Sequence, residues 1–231
     1  MKKQWEKRIK LNNEGSALLT VIVVVAFITV LATTMLYITG MNYQMKQTDY
    51  QNKKSFYKAE EALDGLKAVL AEDMSDAFQY AYQEVMVQYA SLEGDARQAA
   101  FNGAFLDYLD ADWSAKESNR LVLSQTLTDE IRDRMSANSY DARYFIEAEA
   151  GEAPIELVCD RANGRFVIRN IRVRYAENGY SSFICTDIAF CVPDLDLEHS
   201  SSANNAWTSS SPDRQAVVLT DYIIYMNWTK Y

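Results

Sequence analysis

The residues best suited to catalysis or metal binding lie together in a polar segment from Asp194 to Arg214. It holds the only histidine of the chain, His199, with the carboxylates of Asp196 and Glu198 close by. A serine hydrolase needs a histidine oriented by a carboxylate, an activated serine and an oxyanion donor, and no nucleophile turn accompanies the serines here. We therefore expect a solvated loop and no catalytic residue.

Calcium is the alternative use of the same segment. Asp194, Asp196 and Glu198 could bring their oxygens around one ion, but they lack the glycine and the ligand spacing of an EF-hand. No glycine-rich phosphate loop occurs elsewhere in the chain, which argues against nucleotide binding. We expect no cofactor, and these three carboxylates are the candidates if calcium binds.

Three cysteines, Cys159, Cys185 and Cys191, all lie in the last third of the chain. They form no CxxC pair, and no histidine and cysteine cluster has the spacing of a zinc site. An odd number of cysteines outside the cytoplasm predicts one disulfide and one spare thiol, or three thiols in a reducing habitat. The sequence leaves both the pairing and the oxidation state open.

An uncharged apolar run from Ser16 to Ile38 is the strongest signal in the chain. At 1.5 Å per residue, a helix of this length crosses a hydrocarbon core of about 30 Å. The residues before it carry more basic than acidic side chains, and such a flank normally stays in the cytoplasm. We expect a single-pass membrane protein with a cytoplasmic N-terminus and an extracytoplasmic C-terminal domain.

A short hydrophilic leader ends at Gly15, and the apolar run begins at Ser16. This order resembles the class III leader of type IV pilins and type II secretion pseudopilins, which a prepilin peptidase cleaves after the glycine. The resemblance implies cleavage between Gly15 and Ser16, N-terminal methylation of the mature chain, and a long helix bearing an antiparallel sheet. The segment Ser55 to Leu70 is similar to the corresponding segment of minor pilins, and the resemblance fades beyond it.

Most members of this family carry glutamate five residues after the cleavage site, where this chain has Thr20. Absence of that glutamate is typical of subunits that cap or initiate the fibre. The resemblance implies a minor pilin or pseudopilin of a pilus or type II secretion-like filament, located at the tip and acting in assembly initiation or adhesion. Its partners would be other pilins, through the N-terminal helix, and the peptidase. The alternative is a signal-anchored ligand-binding protein that does not polymerise.

The charge of the chain argues against nucleic-acid binding. Its formal net charge is −9, and removal of a basic leader makes it more negative, whereas a nucleic-acid groove needs a basic stripe. The nearest candidate is a run of arginines on one predicted strand. We expect these side chains to form a solvated strand face that pairs with neighbouring acids: Arg165, Arg169, Arg172 and Arg174.

The periodicity predicts an α+β chain. We divide it into a leader (1–15), a transmembrane and stalk helix (16–71), a helical insert (72–138) and an antiparallel sheet domain (139–231). Apolar residues recur at helical spacing along the stalk and predict a buried stripe, within which Gly65 would be a close-packing position. The stripe consists of Phe56, Ala59, Leu63, Leu66 and Leu70.

Helical spacing of apolar residues within the insert predicts three helices, Met74 to Leu92, Asp95 to Leu109 and Ser118 to Met135. Asp95 and Ser118 are suitable N-caps because a short side-chain oxygen can accept from the first free backbone amides. Aromatic residues in the first two helices predict a core between helices rather than a binding surface. They are Tyr80, Tyr82, Tyr89, Phe101, Phe105 and Tyr108.

From Tyr140 onward the period changes to two, with Tyr144, Ile146 and Ala148 on one face of a predicted strand. Asn163-Gly164 and Asn178-Gly179 predict two-residue hairpin turns, in which both residues need positive φ. A slip in the alternation at Arg169-Asn170 predicts a bulge. We expect an antiparallel meander of three strands, Ile155 to Asp160, Arg165 to Tyr175 and Tyr180 to Val192. A last strand is expected from Gln215 to Lys230, and the sheet should pack on the stalk stripe.

Overall fold

The computed structural model of this chain describes residues 13–193 and 219–230, and for residues 13–16 the backbone alone. The chain divides into two compact units after Gln51. Within the described residues, three α-helices are followed by a four-stranded antiparallel sheet. The α+β class and the long N-terminal helix are therefore confirmed.

Helix α1 extends from Asn13 to Gln88, and its first part makes up the described residues of the first unit. Every described side chain from Ala17 to Tyr50 is exposed. Threonine hydroxyls in this part donate to the carbonyl oxygen four residues earlier, as Thr29 does to Val25 at 2.8 Å. Because these polar groups are satisfied within the helix, they do not oppose an apolar environment. The others that do so are Thr33, Thr34 and Thr39.

The predicted helix boundary near Ala71 is wrong, because α1 continues to Gln88. The buried stripe extends beyond Leu70 with the same helical spacing, and no proline or glycine interrupts it. Its further members are Met74, Ala77, Ala81 and Val85, all buried. A continuous buried face stabilises a continuous helix, so the first helix of the predicted insert is the end of α1.

Helix α2 runs from Gly94 to Val122 and α3 from Leu127 to Ala137. The predicted break between Asp110 and Ser118 is absent, since Trp113 in that stretch is fully buried and belongs to the core. Ser118 therefore lies within a helix, and Glu93 rather than Asp95 precedes the first turn of α2.

A side-chain N-cap precedes the first turn of α3. The hydroxyl of Thr126 accepts from the amide of Asp129 at 3.3 Å, and the carboxylate of Asp129 accepts from the amide of Thr126 at 3.0 Å. This reciprocal pair is a capping box, and it holds the pKa of Asp129 below its usual value. The predicted N-cap, Ser118, lies eight residues before the observed N-cap, Thr126, so the capping box was not predicted.

The sheet is a meander in the order β1-β2-β3-β4. Its strands are Glu156–Asp160, Arg165–Glu177, Tyr180–Cys191 and Ile223–Lys230. The alternation after Tyr140 forms no strand: a 3-10 turn at Ala142–Tyr144 precedes a single bridge between Phe145 and Val173. Phe145 is 1% exposed and occupies the core.

The two Asn-Gly pairs form different turns. Asn178 and Gly179 have φ of 52° and 81° and join Glu177 to Tyr180 directly, as a two-residue hairpin requires. At Asn163-Gly164 the prediction is corrected. A 3-10 turn lengthens that loop, and Gly164 alone adopts positive φ there. The carboxylate of Asp160 accepts from the amide of Asn163 at 3.2 Å and stabilises the longer form.

One carboxylate joins two irregularities of the sheet. The predicted bulge in β2 is confirmed, with a register shift between Ile168 and Ile171. A second register shift lies in the pairing of β3 with β4, between Cys185 and Asp187. Asp187, 8% exposed, accepts from the backbone amide of Asn170 at 2.9 Å and from the side-chain amide of Asn227 at 2.6 Å. Both asparagines have positive φ, so Asp187 stabilises the two bulges together.

The core of the second unit lies between the sheet and the predicted stripe of α1, which is confirmed. Ala59, Leu63, Leu66 and Leu70 are fully buried and Phe56 is partly so. The hydroxyl of Tyr225 in β4 donates to the carbonyl oxygen of Leu63 at 2.6 Å, and burial raises the pKa of Tyr225. The sheet thus packs directly on the helix.

Candidate functional site

The exposed apolar part of α1 is the first candidate site. It is the one helix of the described residues that is long and apolar enough to cross a membrane, and none of its apolar window is buried. Exposure reaches 74% at Leu36 and 64% at Phe27. A globular protein does not leave so large an apolar surface in water. This surface is therefore suited to contact with lipid or with other apolar helices.

Gly15 and Ser16 lie within α1, and only their backbone is described. Thr20 lies in the same helix with an exposed side chain. Tyrosines follow the apolar run: Tyr37 is 68% exposed and Tyr43 is 69% exposed. Tyrosine is enriched where a membrane-spanning helix meets the membrane surface, so their position agrees with a span that ends near Ile38.

The four arginines of β2 differ in burial. Arg165 pairs with Asp160 at 2.9 Å and Arg169 with Glu156 at 3.6 Å. Arg172 is 7% exposed and pairs with Glu152 at 3.1 Å. The expectation of pairing with neighbouring acids holds for these three. The expectation of a solvated face is wrong for Arg172, because the side chain lies over the bulge, where its guanidinium donates to the carbonyl oxygen of Asn170.

All three cysteines are free and partly buried. Cys185 and Cys191 lie on one strand, six residues and therefore about 20 Å apart, and a disulfide needs Cα atoms within about 7 Å. Cys159 lies opposite Phe166, whose partner in β3 is Phe190, so Cys191 is on the other face of the sheet. Cys185 lies five residues from Phe190 on β3, about 16 Å along the strand, so it is also out of reach of Cys159. None of the three pairs has the geometry of a disulfide. Burial raises the pKa of each thiol and lowers its reactivity.

The predicted aromatic set of the helices is only partly buried, and Tyr108 packs partly buried against the core. Phe101 and Phe105 are fully buried, as predicted, and their rings pack together with centroids 6.1 Å apart. The prediction is wrong for Tyr80, Tyr82 and Tyr89, which are 42%, 36% and 42% exposed. Phenylalanine has no polar group to satisfy, whereas tyrosine at the edge of the core keeps its hydroxyl in water.

A buried ion cluster joins the three helices. Asp73 of α1 is 6% exposed and accepts from Arg134 of α3 at 2.8 Å and from Lys116 of α2 at 3.3 Å. Both cations lie over the ring of Trp113, Lys116 at 4.8 Å from its centroid. The indole N–H of Trp113 has no acceptor among the described residues. Because it pairs groups from α1, α2 and α3, the cluster holds the three helices together.

A cavity of about 210 Å³ opens between α1, the end of α3 and the 3-10 turn that follows. Its lining combines ionised groups with rings and a thioether: Lys58, Glu61, Met135, Tyr140, Asp141 and Tyr144. The sequence analysis missed it because these residues come from three segments, and none stands out in its own segment. The spacing of Lys58 and Glu61 at i and i+3 was the available signal, since it places both side chains on one face of the helix.

The remaining candidates, Asp194, Asp196, Glu198 and His199, lie outside the described residues. Comparison with protein-family models, with curated proteins and with solved structures finds no match for this chain.

Proposed function

We propose that this chain is a minor type IV pilin or pseudopilin, a structural subunit of an extracytoplasmic filament, with no catalysis of its own. The observation that carries the proposal is the glycine at position 15 followed at once by an apolar helix whose described side chains are exposed. Such a helix leaves the bilayer only when other apolar helices cover it. Packing of N-terminal helices in a filament core supplies that cover.

The internal bonding of α1 supports the same function. The hydroxyls of Thr29, Thr33, Thr34 and Thr39 are satisfied by the helix itself, so the segment has few polar demands in lipid or in a filament core. The second unit supports it too, since a folded sheet on the C-terminal part of α1 is the layout of a pilin head. In this scheme the extracytoplasmic head is exposed on the filament.

We expect a prepilin peptidase to cleave between Gly15 and Ser16, because the site needs a small residue at position 15 and the apolar helix begins directly after it. The measurement is the intact mass of the membrane form in cells with and without the peptidase. Gly15→Leu should leave the precursor uncleaved. Gly40→Leu is the control, because Gly40 lies in the same helix and a side chain added there would contact nothing; this variant should be processed normally.

A mature species that starts anywhere other than Ser16 would contradict the family assignment. Permanent retention of the leader, together with specific binding of a ligand by the head, would instead favour the second candidate, a signal-anchored protein that does not polymerise.

We further propose that the subunit occupies the filament tip. The family resemblance implies that the glutamate at the fifth position pairs with the amino terminus of an adjoining subunit. A buried charge is tolerable when it is paired and costly when it is alone. Thr20 brings no charge and cannot neutralise an ammonium. A subunit with nothing above it has no such neighbour, so threonine is harmless at the tip and a defect at internal positions.

Gold labelling of sheared filaments tests the position. With an epitope tag in the polar segment between Ser200 and Ser211, we expect label at one end of each fibre and in few copies. A matched tag on the major subunit of the same filament should label the shaft. Dense label of this subunit along the shaft, or on no fibre at all, would refute the tip assignment.

A further inference from the structure

We propose that the cavity beside α1 is a binding site for one residue of a neutral saccharide, a role that does not depend on filament assembly. The site consists of two ion pairs at its edge and tyrosine rings at its walls. Its open volume of about 210 Å³ accommodates a single sugar ring. Pockets that bind drug-sized ligands are larger, with volumes of about 300–1,000 Å³.

The charges of the cavity are already neutralised in pairs. Lys58 donates to Glu61 at 2.6 Å. Asp141 accepts from the guanidinium of Arg143 at 2.9 and 2.6 Å and from the amide of Arg143 at 3.1 Å. These bonds hold the pKa of Asp141 at about 2, so its carboxylate is ionised at neutral pH. A ligand therefore needs to bring no net charge.

The pair of Lys58 and Glu61 keeps hydrogen-bonding capacity for a ligand. An ammonium has three donors, and Lys58 uses one of them on Glu61. The carboxylate of Asp141 is occupied by Arg143 and by the hydroxyl of Tyr144. The open face of the cavity thus offers donors from Lys58 and acceptors from Glu61. Vicinal hydroxyls of a sugar both donate and accept, and they match such a mixture.

The ring of Tyr140 is fixed in place. A methyl group built on Gly65 would lie 2.9 Å from Cδ1 of Tyr140 and 3.2 Å from Cε of Met135, which shows that the ring lies directly against the backbone of α1. Tyr140 is nevertheless 43% exposed. A rigid, half-exposed ring beside hydrogen-bonding groups is suited to the C–H face of a pyranose, whose weakly positive hydrogens are attracted to the negative face of the ring.

Ligands of other charge fit less well. A cation would compete with Lys58 and Arg143 for the carboxylates that they already bind. The spare donors of Lys58 would attract an anion, but Glu61 and Asp141 in the same lining would repel it. The arrangement therefore favours a polyhydroxylated neutral molecule over both.

Saturation-transfer NMR on the full chain in polyoxyethylene detergent, which has no sugar headgroup, tests the proposal. The probes are cellobiose, lactose and N,N′-diacetylchitobiose, with N-acetylneuraminic acid as the anionic and choline as the cationic comparison. We expect transfer to at least one neutral probe, with its affinity reduced about tenfold, or 1.4 kcal/mol, by Tyr140→Ala and by Glu61→Ala. Glu61 has a side chain that is 67% exposed, so its removal leaves the fold intact.

Tyr80→Ala is the matched control, because Tyr80 is 42% exposed and lies outside the cavity; its affinity should equal that of the unaltered chain. Three results would overturn the proposal: no transfer to any neutral probe, transfer that neither cavity variant reduces, or stronger binding of the anionic or the cationic probe.

Discussion

Replacing Leu63 with aspartate should unfold the second unit. Leu63 is fully buried in the stripe of α1, and its carbonyl oxygen accepts from the hydroxyl of Tyr225. The substitution removes apolar contacts worth about 2–5 kcal/mol and buries an unpaired carboxylate at a further cost of several kcal/mol. The sum is comparable to the whole free energy of unfolding of a domain, about 5–15 kcal/mol.

The measurement is the near-ultraviolet circular dichroism of the full chain in detergent, which reports packed aromatic side chains rather than helix content. We expect the signal to be lost at 25 °C in Leu63→Asp. Tyr57→Asp is the control on the same helix, since Tyr57 is 62% exposed and aspartate there stays in water. If both variants kept the signal of the unaltered chain, the stripe would not be core.

Removal of the Asp73 carboxylate should cost about 3–5 kcal/mol, the usual effect of breaking a buried ion pair on one side. Asp73→Ala removes the carboxylate that pairs with Arg134, whose side chain is only 15% exposed, whereas Lys116 keeps Asp112 as a partner at 2.5 Å. For a chain of this size we expect the melting temperature to fall by about 6–20 °C. The transition is followed by tryptophan fluorescence, since Trp113 lies under both cations.

Asp133→Ala provides the comparison. Asp133 binds Arg120 at 2.8 Å, but its side chain is 64% exposed, and exposed pairs contribute about 0–1 kcal/mol. Its melting temperature should fall by only a few degrees at most. Equal losses in the two variants would show that burial of the Asp73 cluster has no energetic consequence.

Elements with a local signal were predictable from the sequence. The apolar run, the stripe around Leu63, the turn at Asn178-Gly179 and the bulge near Asn170 each depend on spacing within a few residues. The ends of the helices were less predictable from the sequence. The end of α1 at Gln88 depends on burial against α2, and the break expected before Ser118 is prevented by Trp113, which packs in the core.

The cavity and the ion cluster were not predictable because they depend on tertiary contacts. Asp73 and Arg134 are far apart in sequence, and nothing near either residue indicates the other. Tyr140 looks like the start of a strand, yet its ring is placed by Gly65 in α1. Periodicity reports which face of an element is apolar, but it does not report which polar groups of different elements converge.

Asp187 has a consequence for how the sheet finds its alignment. A tight turn sets the pairing of β2 with β3. Strand β3 ends at Cys191 and β4 begins at Ile223, so no tight turn sets the pairing of these two strands. Displacing β4 by one residue would separate Asn227 from the carboxylate and expose its inward side chains to water. The hydrogen bond of 2.6 Å between Asn227 and Asp187 therefore favours one register of β4. Because the same carboxylate accepts from the amide of Asn170, the register of β4 is tied to the bulge of β2.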